Sequence, residues 1–172
     1  MLRTLEKEKR TTIADKILTR IEDVLNYIAA LCLAVIIIAI IADVAGRLLG
    51  IVIPYTIEMS GYMLVPITYL PAAYGLKHGL HVNVEFALKW FSPPVQRKLQ
   101  MVTDLITLFI IILILLECWG LILKSYSRGL VSNTMLRVPL YLPQSAIIIG
   151  LIFFTIEMFI IAWRSLLLLR GK

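Results

Sequence analysis

Residues 105–123 read LITLFIIILILLECWGLIL, and the twelve residues from Leu105 to Leu116 carry no charge. A helix of this length extends about 28 Å, close to the thickness of the hydrocarbon layer of a membrane. The stretch therefore predicts a membrane-spanning helix. The whole chain supports this, because 60% of its 172 residues are hydrophobic, against about 45–50% in a typical soluble domain.

Three more stretches of the chain have the length and apolar character of a span. We place the four predicted spans at about residues 24–42, 56–76, 105–123 and 146–163. Residues 24–163 then form a four-helix membrane domain, between a lead-in of residues 1–23 and a tail of residues 164–172. The second span carries Pro66 and Pro71, which predicts a kinked helix that packs against protein.

Two shorter segments predict amphipathic helices in the membrane interface. In the lead-in, Ile13, Ile17 and Ile21 recur at helical spacing among charged residues. Within residues 84–91, Val84, Ala87, Leu88 and Phe91 form one apolar helical face, and Trp90 suits the level of the lipid headgroups. The fold class predicted is an all-α integral membrane protein with four spans and short interfacial helices.

The basic residues are distributed unevenly between the connections. Residues 1–23, 77–100 and 164–172 hold 13 of the 17 lysines and arginines. The positive-inside rule places these three segments in the cytoplasm, which puts both termini inside and requires an even number of spans. The net charge of +6 thus predicts contact with anionic lipid and not with nucleic acid.

Few residues suggest chemistry, and no motif of an enzyme, metal site or cofactor site is recognisable. We therefore expect no enzymatic activity, metal or cofactor. His78 and His81 could bind a metal or carry protons, or could form hydrogen bonds that hold the turn after the second span.

Three carboxylates, Glu58, Glu117 and Glu157, lie within predicted spans. A charge in hydrocarbon is costly and needs a partner. These residues could couple transport to an ion, or could have a structural role. The structural alternative pairs them with basic residues near the interfaces, namely Arg47, Lys124, Arg128 and Arg164.

Residues 75–85 carry the most specific pattern, GLKHGLHVNVE. The stretch resembles the small membrane subunit, DctQ type, of tripartite ATP-independent periplasmic (TRAP) transporters. That family has a glycine, a basic pair, and then Gly-x-His-hydrophobic-x-Val-acid. Arg47, Ile57-Glu58 and the Gly129 to Pro139 segment with Pro143 and Gly150 also match. The chain departs from the family at Asn83, where a basic residue is common, and at Lys77-His78, where two arginines are common.

The resemblance implies a heteromeric importer of the bacterial inner membrane. In such transporters a periplasmic binding protein captures an organic anion, such as a dicarboxylate or sialic acid. A large multi-span permease then carries the anion inward, driven by sodium. The small subunit is a non-catalytic scaffold that braces the permease and helps to dock the binding protein.

Specific residues are assigned to these contacts. We expect Arg128 and Arg137, in the loop before the last span, to touch the binding protein. The candidate subunit or structural contacts are Arg47, Glu58, His78, Gly79, His81 and Trp90. The alternative function is a small self-sufficient transporter, acting as a homodimer with Glu58 or Glu157 as its coupling carboxylate.

Overall fold

The structure, a computed structural model, describes residues 13–51, 54–78 and 93–169. This part of the chain consists of helices and their connections, as the all-α prediction requires. We number the helices in chain order as α1 (Ile13–Leu48), α2 (Thr56–Tyr69), α3 (Ala72–Lys77), α4 (Pro93–Ser127) and α5 (Tyr141–Leu169). The predicted interfacial helix at residues 84–91 lies outside the described residues.

Helices α1, α4 and α5 are each long and apolar enough to cross a membrane. They contain three of the predicted spans and extend beyond them. Residues 13–23, expected as a separate surface helix, are the first turns of α1. The helix continues because no glycine or proline interrupts the chain between residues 13 and 45. Helix α4 begins at Pro93, where a proline is well tolerated because it lies in the first turn.

The second predicted span is divided into α2 and α3 by Leu70 and Pro71. Pro71 has no N–H to donate to the carbonyl of Ile67, so the helical hydrogen bonds are interrupted there. Bonding resumes at once, with the N–H of Gly75 donating to the Pro71 carbonyl at 2.8 Å. The predicted kink is therefore confirmed as a break in the helix. Pro66, in contrast, is accommodated inside α2.

Helix α5 is the central element of the structure. It packs against α4 on one side and against α2 and α3 on the other, while α1 packs mainly against α2. Its buried side chains include Ile148, Leu151, Met158 and Ala162. Helices α1 and α4 form the two edges and leave most of their apolar side chains exposed. Such surfaces suit lipid or another membrane protein.

The break between α2 and α3 packs directly against Gly150 of α5. A Cβ atom built at this glycine would lie 3.0 Å from the Cβ of Tyr69 and closer still to the Tyr69 carbonyl group. Leu70 and Ala73, on either side of Pro71, are buried in the same contact. A glycine is needed at residue 150 because any side chain would push the two helices apart.

Glycines also end two of the long helices. Gly50, after α1, and Gly129, after α4, both have positive φ, at 74° and 57°. The N–H of Leu130 donates to the carbonyl of Ser125 at 2.9 Å, and that of Ile51 to Gly46 at 2.8 Å. This is the Schellman arrangement, in which a left-handed residue lets the chain turn back on the last helical carbonyls. It directs the 128–140 connection back over the ends of the helices.

Candidate functional site

Two groups of polar side chains join the helices, one at each end of the array. We call the first the lysine cluster; its members are Thr19, Glu22, Lys77 and Glu157. We call the second the Glu58 cluster; its members are Glu58, Tyr62, Ser132, Thr134 and the backbone N–H of Leu136. The lysine cluster brings the start of α1, the end of α3 and the second half of α5 to the same end of the array.

The lysine cluster centres on the ammonium of Lys77, the last residue of α3. Its Nζ lies 2.6 Å from Oε2 of Glu22 and 3.0 Å from Oε1 of Glu157. It also donates to Oγ1 of Thr19 at 2.8 Å. An ammonium has three N–H groups, so each of them has an acceptor. Thr19 and Glu22 share one face of α1 because they are three residues apart.

All three charged side chains of this cluster are removed from solvent. The exposed fraction of the side chain is 5% for Lys77, 0% for Glu22 and 3% for Glu157. A buried charge is tolerated only when it is paired and hydrogen-bonded. Removing one partner from such a pair costs about 3–5 kcal/mol, because the other charge stays buried without compensation. The cluster therefore holds α1, α3 and α5 in one arrangement.

A further hydrogen bond attaches α4 at the same end. The hydroxyl of Ser165, near the end of α5, donates to Oδ2 of Asp104 at 2.6 Å. Asp104 is itself buried between the two helices. A hydrogen bond to a charged group contributes about 1.5–3 kcal/mol. Together with the lysine cluster, this bond links α4 through α5 to α3 and α1.

The Glu58 cluster ties α2 to the loop that connects α4 and α5. Oε1 of Glu58 accepts hydrogen bonds from the hydroxyls of Tyr62 at 3.2 Å and Ser132 at 3.3 Å, and from Thr134. Oε2 accepts from the N–H of Leu136 at 3.3 Å. Glu58 also lies in the first turn of α2, where the helix dipole favours a negative charge.

The partners that the structural alternative gave to Glu58 and Glu157 were wrong. Glu58 was expected to pair with a basic side chain, and its described partners are hydroxyls and a backbone N–H. Glu157 was expected to pair with one of four arginines and lysines near the interfaces, and it pairs with Lys77. The physical reason is that the break at Pro71 lets α3 bring Lys77 against α5, which sequence spacing does not reveal.

A cavity of about 430 Å³ lies beside Glu58, between α2 and α5. Most of its lining is apolar, with Val65 and Ile147 among the side chains. Glu58, Tyr62, Thr134 and Gln144 give it a polar part. Oε1 of Gln144 is buried without a hydrogen-bond partner among the described residues.

Arg47 and His78 make local contacts. Arg47 pairs with Asp43, one turn earlier in α1, at an Nη2–Oδ2 distance of 2.8 Å. His78 follows α3, stacks on Tyr74 at 4.0 Å between ring centroids, and places Nδ1 2.8 Å from the Tyr74 carbonyl oxygen. This geometry suits a histidine that holds the turn. Whether either residue contacts another subunit stays a prediction.

The other predicted site residues fall into two groups. Arg128 and Arg137 are exposed in the connection between α4 and α5, and Arg137 has a φ of 44°. Their contact with a binding protein stays a prediction. Gly79, His81 and Trp90 lie outside the described residues.

A known protein family matches most of this chain. The family model for the DctQ component of tripartite ATP-independent periplasmic transporters matches residues 36–168. The chain belongs to the DctQ family. The match includes α2, α3, α4 and nearly all of α5, and so confirms the resemblance seen around residues 75–85. No curated protein matches the chain in sequence.

Membership of the DctQ family makes this chain an integral membrane component of a TRAP transporter. Within this DctQ chain, Glu22 is the residue that sequence reasoning missed most clearly. It was assigned to a charged lead-in, yet it is fully buried. One signal could have found it. Glu157, late in the fourth predicted span, needed a cation. In spans that alternate in direction, Lys77 at the end of the second span lies on the same side of the membrane. Glu22, just before the first span, lies on that side too.

Proposed function

We propose that this chain is the non-catalytic scaffold subunit of a sodium-driven, binding-protein-dependent importer of organic anions of the dicarboxylate or sialic acid class. In this role it braces the large permease subunit in the bacterial inner membrane and helps to dock the periplasmic binding protein. The lysine cluster is the observation that carries the proposal. A subunit that braces a moving partner must keep its own helices in one arrangement, and buried, paired charges favour one arrangement.

The polar contacts at both ends add support. The lysine cluster and the Asp104–Ser165 bond join α1, α3, α4 and α5 at one end of the array. At the other end, Glu58 holds the α4–α5 connection. An element that carried substrate through the membrane would need to change such contacts in each cycle. The large number of these polar contacts favours a subunit whose helices stay fixed during transport.

We also propose that α2 and α3 together make the fourth crossing, with both chain ends in the cytoplasm. Residues 56–77 extend about 33 Å as helix, enough for the hydrocarbon layer. The start of α1, the end of α3 and the late part of α5 meet in the lysine cluster, an arrangement consistent with helices that cross alternately. Cysteine labelling of intact cells at residue 133 and residue 3 tests this: only residue 133 should react from outside.

Co-purification tests the scaffold role. The tagged chain, extracted in mild detergent, should bring down a much larger multi-span permease. Liposomes that contain both membrane subunits, supplied with the binding protein and a sodium gradient, should accumulate the anion. Liposomes with this chain alone should not. Isolation of the chain without such a partner, from cells that express the whole transporter, would contradict the proposal.

One observation favours the alternative of a self-sufficient transporter. Glu58 borders the 430 Å³ cavity, where a coupling carboxylate could meet a substrate. The same liposomes separate the two functions. Uptake by this chain alone, abolished by Glu58→Gln, would establish the alternative.

A further inference from the structure

Glu117 is the one carboxylate at membrane depth that the described part of the chain leaves uncovered. Its side chain is exposed on α4 and makes no ion pair or hydrogen bond with any described side chain. Five other carboxylates contrast with it, since they are buried or hydrogen-bonded within the chain. These are Glu22, Asp43, Glu58, Asp104 and Glu157.

The position of Glu117 along α4 places it inside the hydrocarbon layer. Lys124 follows it by seven residues, about 10 Å of helix, and Asp104 precedes it by thirteen residues, about 20 Å. These two charged residues bracket about 30 Å, the thickness of the hydrocarbon layer. A carboxylate at this depth almost always faces protein or a water-filled cavity and has a partner there.

The surroundings of Glu117 form a continuous stripe that points away from α5. We call it the α4 stripe; its members are Leu113, Glu117, Gly120 and Lys124. Their spacing of four, three and four residues puts them on one face of a helix. Asp104, Ile111 and Ser125 mark the opposite face, where they are buried. Leu113 is 47% exposed, and a Cβ built at Gly120 meets no atom within 4 Å.

We propose that the large permease subunit docks on the α4 stripe. One of its membrane helices would present a basic or hydrogen-bond-donating side chain to Glu117 and pack its backbone over Gly120. This proposal rests on the proposed scaffold function, which supplies the partner. It names the surface and the chemistry of the contact.

Two other occupants fit the stripe less well. Lipid tails offer no hydrogen-bond donor to a carboxylate. A second copy of this chain in the same membrane has the same orientation, so a symmetric contact between α4 helices brings two Glu117 carboxylates to the same depth. Like charges repel strongly in such a medium. The edge formed by α1 offers no such exposed carboxylate at membrane depth, because Glu22 and Asp43 are buried within their own chain.

Photocrosslinking within the assembled transporter tests the surface directly. A benzophenone amino acid replaces Leu113 in the stripe, and in a separate variant it replaces Ile38 of α1, which is 66% exposed. We expect an adduct with the large subunit from residue 113 and none from residue 38. An adduct with a second copy of this chain, no protein adduct from residue 113, or equal adducts from both residues would overturn the proposal.

Substitutions test the chemistry of the contact. Glu117→Arg and Gly120→Leu should each lower the yield of the complex about tenfold, which corresponds to about 1.4 kcal/mol. Glu117→Gln should retain most of the yield, since its amide oxygen still accepts a hydrogen bond. The matched control is Ala42→Leu, an exposed small residue on α1, which should have no effect. Equal losses for Gly120→Leu and Ala42→Leu would refute the stripe.

The outcomes separate this inference from the scaffold function. If the unsubstituted chain co-purifies with the large subunit but residue 113 does not crosslink to it, the stripe is wrong and the scaffold role stands. If nothing co-purifies, the scaffold role fails. Circular dichroism of each purified variant shows whether its helices have formed, so a loss of complex in a folded variant reports on the contact.

Discussion

The ammonium of Lys77 lies 2.6 Å from a carboxylate oxygen of Glu22, across 55 residues of sequence. Both side chains are almost completely buried. The pair connects the end of α3 to the first turns of α1, and Glu157 extends it to α5. Three helices that are separate in the chain thus share one buried cation. Substitution of Lys77 therefore tests how much this cation contributes to the stability of the fold.

Replacing Lys77 by methionine should destabilise the protein strongly. The substitution keeps most of the volume but leaves two carboxylates buried without a cation, at a cost of about 3–5 kcal/mol. Thermal unfolding in detergent, followed by circular dichroism, measures the effect. Lys98→Met is the control, since Lys98 is exposed on α4, and it should shift the midpoint little. Equal shifts for the two variants would mean that the cluster does not stabilise the fold.

Removing all three charges together should recover much of that loss. In the triple variant Glu22→Leu, Lys77→Met, Glu157→Leu no charge is left in the cluster, and a well-packed apolar replacement of a buried ionic group is often neutral or stabilising. The same unfolding assay compares it with Lys77→Met. If the triple variant were as unstable as the single one, packing and not charge would explain the effect.

A methyl group at residue 150 should separate α5 from the break between α2 and α3. In Gly150→Ala the new Cβ would overlap the backbone of Tyr69, which cannot rotate away as a side chain can. Overpacking of this kind costs about 1–3 kcal/mol. Gly61→Ala is the matched control. Nothing lies within 4 Å of a Cβ at Gly61, and alanine favours a helix by about 1 kcal/mol. Opposite shifts of the two unfolding midpoints are expected.

Loss of the Glu58 carboxylate should release the connection between α4 and α5. Glu58→Leu removes the acceptor for Ser132, Thr134 and the Leu136 N–H. Amide hydrogen exchange of residues 130–137 should become faster, since local opening costs less when these bonds are lost. Asp15→Leu, at the other end of the array, should leave this exchange unchanged. The same pair tests assembly: Glu58→Leu should lower the yield of the complex and Asp15→Leu should not.

Arg128 and Arg137 should matter for transport and not for assembly. Both are exposed in the α4–α5 connection, so reversing their charges leaves the helical contacts intact. If they meet an acidic surface of the binding protein, Arg128→Glu with Arg137→Glu should slow the association of that protein, most strongly at low salt. Uptake into liposomes is the measurement. Lys98→Glu, at the opposite end, is the control, and unchanged uptake in the double variant would exclude these residues.

Several features could be predicted because they depend on residues close together in sequence. The apolar runs at 24–42, 105–123 and 146–163 predicted the three long helices. Pro71 predicted an interruption of the second span. The GLKHGLHVNVE pattern predicted the DctQ family, which the family model confirmed.

The sequence by itself determined a helical membrane protein of a known transporter family, since length, hydropathy and a local motif are properties of continuous stretches. Only the tertiary structure decided that Lys77 pairs with both Glu22 and Glu157, that Glu58 accepts hydrogen bonds from hydroxyls, and that Gly150 packs against the Tyr69 backbone. Periodicity places a side chain on a face of its own helix. It does not say which other helix lies opposite, because that choice depends on how the breaks and glycines let several helices approach at once.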